Sequence, residues 1–169
     1  GRIAKVRASD LDVRSIIGKW NFACIALAPD DLRFTLDRLR TAKIDGRLPT
    51  PGEPGVIVSE PVARNLGLKI GDVLLGPEKT DAYSPMDVKV TGIGHSDQWY
   101  VFGDLDYYRL HHFPPIDLLL VFAEKLEDQA KLDEWAVEYF KGKRARVLAY
   151  QEVERESALM FQTLYKILD

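Results

Sequence analysis

The stretch from Gly55 to Leu75, G-V-I-V-S-E-P-V-A-R-N-L-G-L-K-I-G-D-V-L-L, spells out a complete piece of local structure. Val56 to Val58 is a run of β-branched residues, the composition of a short strand. Ser59 follows in the position of a helix N-cap, where its hydroxyl would accept from an unpaired amide of the first turn. Pro61 falls in that turn, where a missing N–H costs nothing, and Gly67 stands where a left-handed residue closes a helix. Leu68, Ile70, Val73, Leu74 and Leu75 supply apolar anchors on either side of a Gly71-Asp72 turn that opens a second strand. The middle of the chain reads as strand, short helix, tight turn and strand.

Working outward, Leu48 to Pro54 is rich in turn residues, and Gly76 to Pro85, with two prolines, reads as a hairpin loop. Met86, Val88 and Val90 alternate with Asp87 and Lys89, a half-buried strand that ends at Gly92-Ile93-Gly94. Gln98 to Phe102 reads as another short strand, and Leu105 to Leu110 as at most one helical turn. Residues 48–110 are therefore expected to form a small β-rich lobe.

The flanks repeat one pattern. Ile16 to Leu27 is apolar at both parities, as a strand covered on both faces must be, whereas Arg2 to Arg14 shows no clear period and reads as a lead-in segment with at most one short strand. Pro29, Asp30 and Asp31 open a helix with Leu32, Leu36 and Leu39 on one face, and Ala42 to Arg47 fits a short edge strand. After Pro114-Pro115, Ile116 to Ala123 is again apolar at both parities. A second helix follows, with Asp128 as N-cap, a Glu127–Lys131 pair and an apolar face of Leu132, Trp135, Ala136, Tyr139 and Phe140. Gly142 closes it, and Arg144 to Tyr150 alternates as an outer strand.

Two such β-α-β halves build one sheet with both helices on one face, as in split β-α-β, ferredoxin-like domains. The expected fold class is α+β: a porter-like (ferredoxin-like) lobe from residues 1–47 and 111–150, with the β-rich lobe 48–110 inserted between its halves. The first strand of each half is expected to lie central and the second at the edge. Residues 151–169 begin polar and become apolar on nearly every side, a helix that must bury itself all round.

Composition narrows the function. The chain has 169 residues, 46% hydrophobic and 29% charged, enough for one domain or two small lobes with a real core. A net charge of −3 and a pI near 5.7 speak against non-specific nucleic-acid binding. The one basic cluster, Lys141, Lys143, Arg144 and Arg146, sits at a helix end, where cations complement the dipole. Cys24 stands alone in an apolar run and is expected to be a buried, inert thiol. No apolar run is long enough to cross a bilayer. Residue 1 is not Met and the last segment stops in mid-helix, so the chain is expected to be a soluble part of a larger protein.

The string I-V-S-E-P-V-A-R-N-L-G-L-K-I-G-D-V-L, with D-G-R-L-P-T-P-G-E-P-G before it and V-K-V-T-G-I-G after it, resembles the extracytoplasmic core domain of ABC-transporter permeases of the MacB, LolC and FtsX-like type. The motifs cover about residues 35–110, and the flanks match by order of elements. The resemblance implies a domain lying between two membrane helices, facing the periplasm or cell exterior, with 151–169 running on toward the second. The implied partners are the membrane, through flanking helices absent from this chain, a cytoplasmic ATPase subunit, a second permease subunit, and a substrate or accessory protein outside the membrane. It implies no cofactor, no nucleic acid and no catalysis in this segment. The alternative from the residues alone is a free-standing soluble module that binds a ligand or partner on a small barrel.

Sites of other kinds are thin. His95, His111 and His112 with Asp97, Asp104 and Asp106 lack the paired short spacing of a zinc site. Ser59 could join His95 and an aspartate in a triad only on paper, since the elbow G-x-S-x-G is missing. The aromatic set Trp99, Tyr100, Phe102, Tyr107 and Tyr108 is the candidate partner or substrate surface, with core packing as the competing reading.

Overall fold

The computed structural model describes residues 1–16, 18–111, 116–144 and 147. Its strands are β1 (Arg2–Ser15), β2 (Gly18–Leu27), β3 (Ile44–Gly46), β4 (Gly55–Ser59), β5 (Val73–Leu75), β6 (Val88–Gly94), β7 (Val101–Asp104) and β8 (Ile116–Phe122). Its helices are α1 (Pro29–Arg38), α2 (Glu60–Leu66), α3 (Leu105–Leu110) and α4 (Gln129–Phe140). The strands form one mixed sheet in the order β3-β6-β4-β7-β2-β1-β8, with β5 pairing β6 off that path. The fold class is α+β, with a mixed sheet and few helices.

The strand, helix, turn and strand read from Gly55 to Leu75 are all present as β4, α2 and β5. Every residue of β4 is buried, because the strand lies inside the sheet between β6, which it meets in parallel, and β7, which it meets antiparallel. Burying each of Val56, Ile57 and Val58 contributes about 1.5–3 kcal/mol relative to exposure. Pro61 sits in the first turn of α2 and Gly67 closes it at φ +66°, where Leu68 N–H donates to the Ala63 carbonyl at 2.8 Å. Asp72 accepts the Lys69 N–H on Oδ2 at 2.8 Å, fixing the turn into β5.

Ser59 corrects the capping expectation. Its hydroxyl makes no bond to α2 and instead accepts the Tyr100 N–H at 3.1 Å, while Ser59 N–H donates to the Tyr100 carbonyl at 3.0 Å. A cap hydroxyl at the end of an interior strand has a neighbouring chain to satisfy, and here that neighbour takes it.

The N-terminal segment is the larger correction. Residues 2–15 form one long strand, antiparallel to β2 from Arg7↔Ala26 to Ser15↔Gly18. Ala4, Val6 and Ala8 are buried on one face, then Ser9, Leu11 and Val13 on the other. The buried face changes midway without a register shift, so no single alternation runs the length of the segment. In β2 the even-numbered Cys24 and Ala26 join the core, Phe22 packs against it, and Trp20 runs out into solvent at 42% exposure. The expected two-sided burial holds only for the last part of this strand.

Helix α1 buries Leu32, Thr35 and Leu36, with Asp30 and Asp31 in its first turn and Arg38 in its last. β3 lies at the sheet edge as expected and runs in the same sense as β2, with β7, β4 and β6 between them. Its only partner in that order is β6. β7 begins at Val101, three residues after the expected start at Gln98. β8, expected to be central, stands at the opposite end of the described order.

The described residues fall into two compact units: one within 3–120, and one of residues 1–2 with those from Val121 to Arg144. Within the first, the strands of segment 48–110 bond directly onto β2 and β3. Within the second, a short 3-10 turn at Leu126–Asp128 precedes α4. Asp128 makes no capping bond there and pairs with Lys131 at 3.5 Å, in place of the expected Glu127–Lys131 pair. The expected apolar face divides: Leu132, Ala136 and Phe140 are half-buried, whereas Trp135 and Tyr139 are exposed and stacked 5.0 Å apart. The Lys143 ammonium lies 3.2 Å from the Tyr139 ring centroid. The strand expected at Arg144 to Tyr150 and the helix expected at 151–169 fall almost wholly outside the described residues. No helix among the described residues is long and apolar enough to cross a membrane.

Candidate contact surface

The candidate aromatics are set by α3 and the strand before it. Asp104 caps α3: its Oδ2 accepts the Tyr107 N–H at 2.9 Å and, from the turn-rich loop, the Gly52 N–H at 2.6 Å. That buried carboxylate ties loop 48–54 to α3, whose two tyrosines are buried.

Tyr107 shares a hydrogen bond with Ser84 at 2.8 Å. The Tyr108 hydroxyl lies 2.9 Å from Cys24 Sγ and 3.2 Å from Ser9 Oγ, joining α3 to β2 and β1. Burial pushes the Tyr108 phenol well above its ordinary range. Burial also pushes the Cys24 thiol up to about 12, against the lowering effect of its bonds to Tyr108 and Ser9. A thiol so placed stays protonated and is no nucleophile.

Tyr100 stacks on Phe102 with centroids 4.9 Å apart and meets Thr41 through its hydroxyl at 2.9 Å. Tyr100, Phe102, Tyr107 and Tyr108 are all buried, so they form no contact surface in this structure; they fill the interior. Trp99 is half-buried, with its ring edge-on to Phe22 at 6.5 Å. The five divide: Tyr107 and Tyr108 belong to the main core with Trp99 packed against it, Tyr100 and Phe102 stack on each other outside that cluster, and Trp99 alone of them reaches solvent.

The other candidates separate. His95 takes Asp45 at 2.7 Å and Glu60 at 3.6 Å, Asp97 accepts from Gln98 at 3.1 Å, and His111 lies against the Tyr107 ring at 4.6 Å. Asp104 is consumed as the cap, and His112 lies outside the described residues. Among the described residues no group of three acidic, histidine or cysteine side chains has metal-binding geometry.

Sequence reasoning missed the clamp that shapes the segment before β4. Glu53 accepts from the two terminal guanidinium nitrogens of Arg47, at 2.8 and 2.7 Å, and from the Thr50 N–H and hydroxyl at 2.8 and 2.9 Å. These bonds hold the Glu53 carboxyl down to about 2, the Arg47 pair being the largest cause. The signal was an arginine and a glutamate of opposite charge flanking L-P-T-P-G, a turn that brings its own ends together.

No family model matches the chain, and no curated protein matches it in sequence. Among solved structures it is similar to the extracellular domain of YknZ, a noncanonic ABC-type transporter from Gram-positive bacteria. That likeness has 12% identity and a TM-score of 0.49 over 87% of this chain and 80% of that one. It is also similar to the periplasmic region of MacB from Actinobacillus actinomycetemcomitans, at 10% identity and a TM-score of 0.48, over 94% of this chain and 76% of that one. Both are extracytoplasmic regions of their own proteins.

Proposed function

We propose that this chain is the extracytoplasmic domain of an ABC-transporter permease subunit, coupling movement of membrane helices to the handling of a substrate or partner outside the cytoplasm. The sequence string from Gly55 to Leu75 suggests the family, and its elements fold in the order the resemblance implies. The observation that carries the reading is the return of the chain. Gly1 and Arg2 share a compact unit with the described residues from Val121, and a β-carbon on Gly1 would stand 2.8 Å from the Phe122 carbonyl oxygen. A domain suspended between two membrane helices needs the start of its chain and the far end of its body on one side.

On this reading ATP is hydrolysed by a separate cytoplasmic subunit, and the domain itself binds no nucleotide and catalyses nothing. Residues 1–47 and 111–150 serve as the porter-like lobe, 48–110 as the inserted lobe, and 151–169 lead toward the second membrane helix. A second permease subunit and an accessory protein or substrate complete the assembly. The partner surface includes Trp99, the member of the aromatic set that reaches solvent.

The test is the side of the membrane on which the domain lies. In the full-length protein in intact cells, Glu78→Cys, on an exposed loop, reacts with a membrane-impermeant maleimide. Cys24 is buried and stays silent. Labelling of Glu78→Cys only after lysis would overturn the reading.

A further inference from the structure

We infer that His95 is a proton-dependent clamp between the edge strand β3 and helix α2. Its backbone is fixed: His95 N–H donates to the Lys43 carbonyl at 2.8 Å, and Ala42 N–H donates to the His95 carbonyl at 3.0 Å. The main chain is held from both sides, and the ring lies with a carboxylate near each nitrogen. Nε2 lies 2.7 Å from Asp45 Oδ2 on β3, and Nδ1 lies 3.6 Å from Glu60 Oε2 on α2.

A charged imidazolium carries a proton on both nitrogens and attracts both carboxylates. A neutral ring carries one. With that proton given to Asp45, Nδ1 turns a lone pair toward the Glu60 carboxylate, and attraction becomes repulsion.

The surrounding charges make the two ends unequal. Asp45 keeps Lys43 at 3.0 Å whatever the state of the ring, while Glu60 has Arg64 at 3.9 Å. The ring hydrogen bond is also the largest cause holding the Asp45 carboxyl below its ordinary range, ahead of Lys43. Loss of the proton thus loosens the α2 end of the clamp first. Asp97, in the following loop, is occupied by Gln98. Histidine is the side-chain type whose ordinary charge change falls between about pH 5 and pH 8.

The clamp predicts a pH-dependent opening of one sheet edge. Hydrogen exchange of the full 169-residue chain is measured at about pH 5.5 and pH 8 and corrected for the intrinsic rate at each pH. Amide protection in Ile44–Gly46 and in the hydrogen-bonded amides of α2 from Arg64 on is expected to be about two- to fivefold greater at the lower pH, the range of a partly exposed ion pair. In His95→Gln the difference is expected to vanish in both segments, and in Glu60→Gln it is expected to vanish in α2, where the second carboxylate lies, while protection in β4 is unchanged in both. A wild-type chain with no difference, or a difference in α2 that survives Glu60→Gln, overturns the clamp.

Discussion

The Glu53 carboxylate and the Arg47 guanidinium meet at two points, 2.8 and 2.7 Å, across the turn that leads into β4. Because the folded carboxyl is held down to about 2, against 4.5 for the free group, the unfolded chain binds the proton more readily. The stability this pair contributes is complete above about pH 4.5 and disappears as pH falls toward about 2. Glu53→Gln is expected to flatten that part of the acid-denaturation profile relative to wild type. Parallel melting curves across the window check it, and coincident slopes would show that the pair contributes nothing.

Asp104 accepts two amides, Gly52 N–H and Tyr107 N–H, on one carboxylate oxygen. Asp104→Ala removes the α3 cap and leaves Gly52 N–H without its carboxylate, at an expected cost of about 2–4 kcal/mol. Asp104→Asn retains an acceptor oxygen and is expected to cost less than half as much. The urea midpoints of the two variants separate the lost hydrogen bonds from the lost charge.

Tyr108 reaches Cys24 and Ser9 through one hydroxyl, so Tyr108→Phe keeps the ring packing and removes the bridge. An expected loss of about 1–3 kcal/mol follows from leaving buried polar atoms poorly paired. In the native protein Cys24 is expected to resist thiol reagents at neutral pH and to react at the rate of global unfolding. Rapid labelling of the folded chain would contradict its burial.

Asp72 supplies a side-chain acceptor to the Lys69 N–H in the turn before β5. Asp72→Ala is expected to lower stability by about 1 kcal/mol. An unchanged thermal midpoint would show that the turn is fixed by its backbone bonds and by Gly71, whose φ is +94°.

What the sequence made legible was what short-range chemistry decides. Pro61, Gly67 and Gly71-Asp72 each demand a particular backbone, and each is found in it. The misreadings arose where a distant strand chose the outcome. Ser59 has the right residue in the right place for a cap, yet Tyr100 takes its hydroxyl. β1 escaped detection because its covered face switches between Ala8 and Ser9, which breaks any period-two count. Trp20 continues the inward face of β2 past the end of the core, a boundary the strand itself does not mark. The aromatic set was legible as a run, but not its burial, which is decided by what β7 and α3 pack against: Tyr107 and Tyr108 lie in the main core, whereas Tyr100 and Phe102 stack on each other outside it. The Glu53 clamp and the His95 contacts join residues whose pairing becomes visible only once the chain has folded.

The central claim, a domain set between two membrane helices, is tested most directly by sequencing the coding DNA on both sides of this segment. The account predicts an apolar stretch of about 20 residues before Gly1 and another continuing beyond Asp169. A reading frame that opens and closes near these two residues, with no such stretch, would contradict it and leave a free-standing binding module in its place.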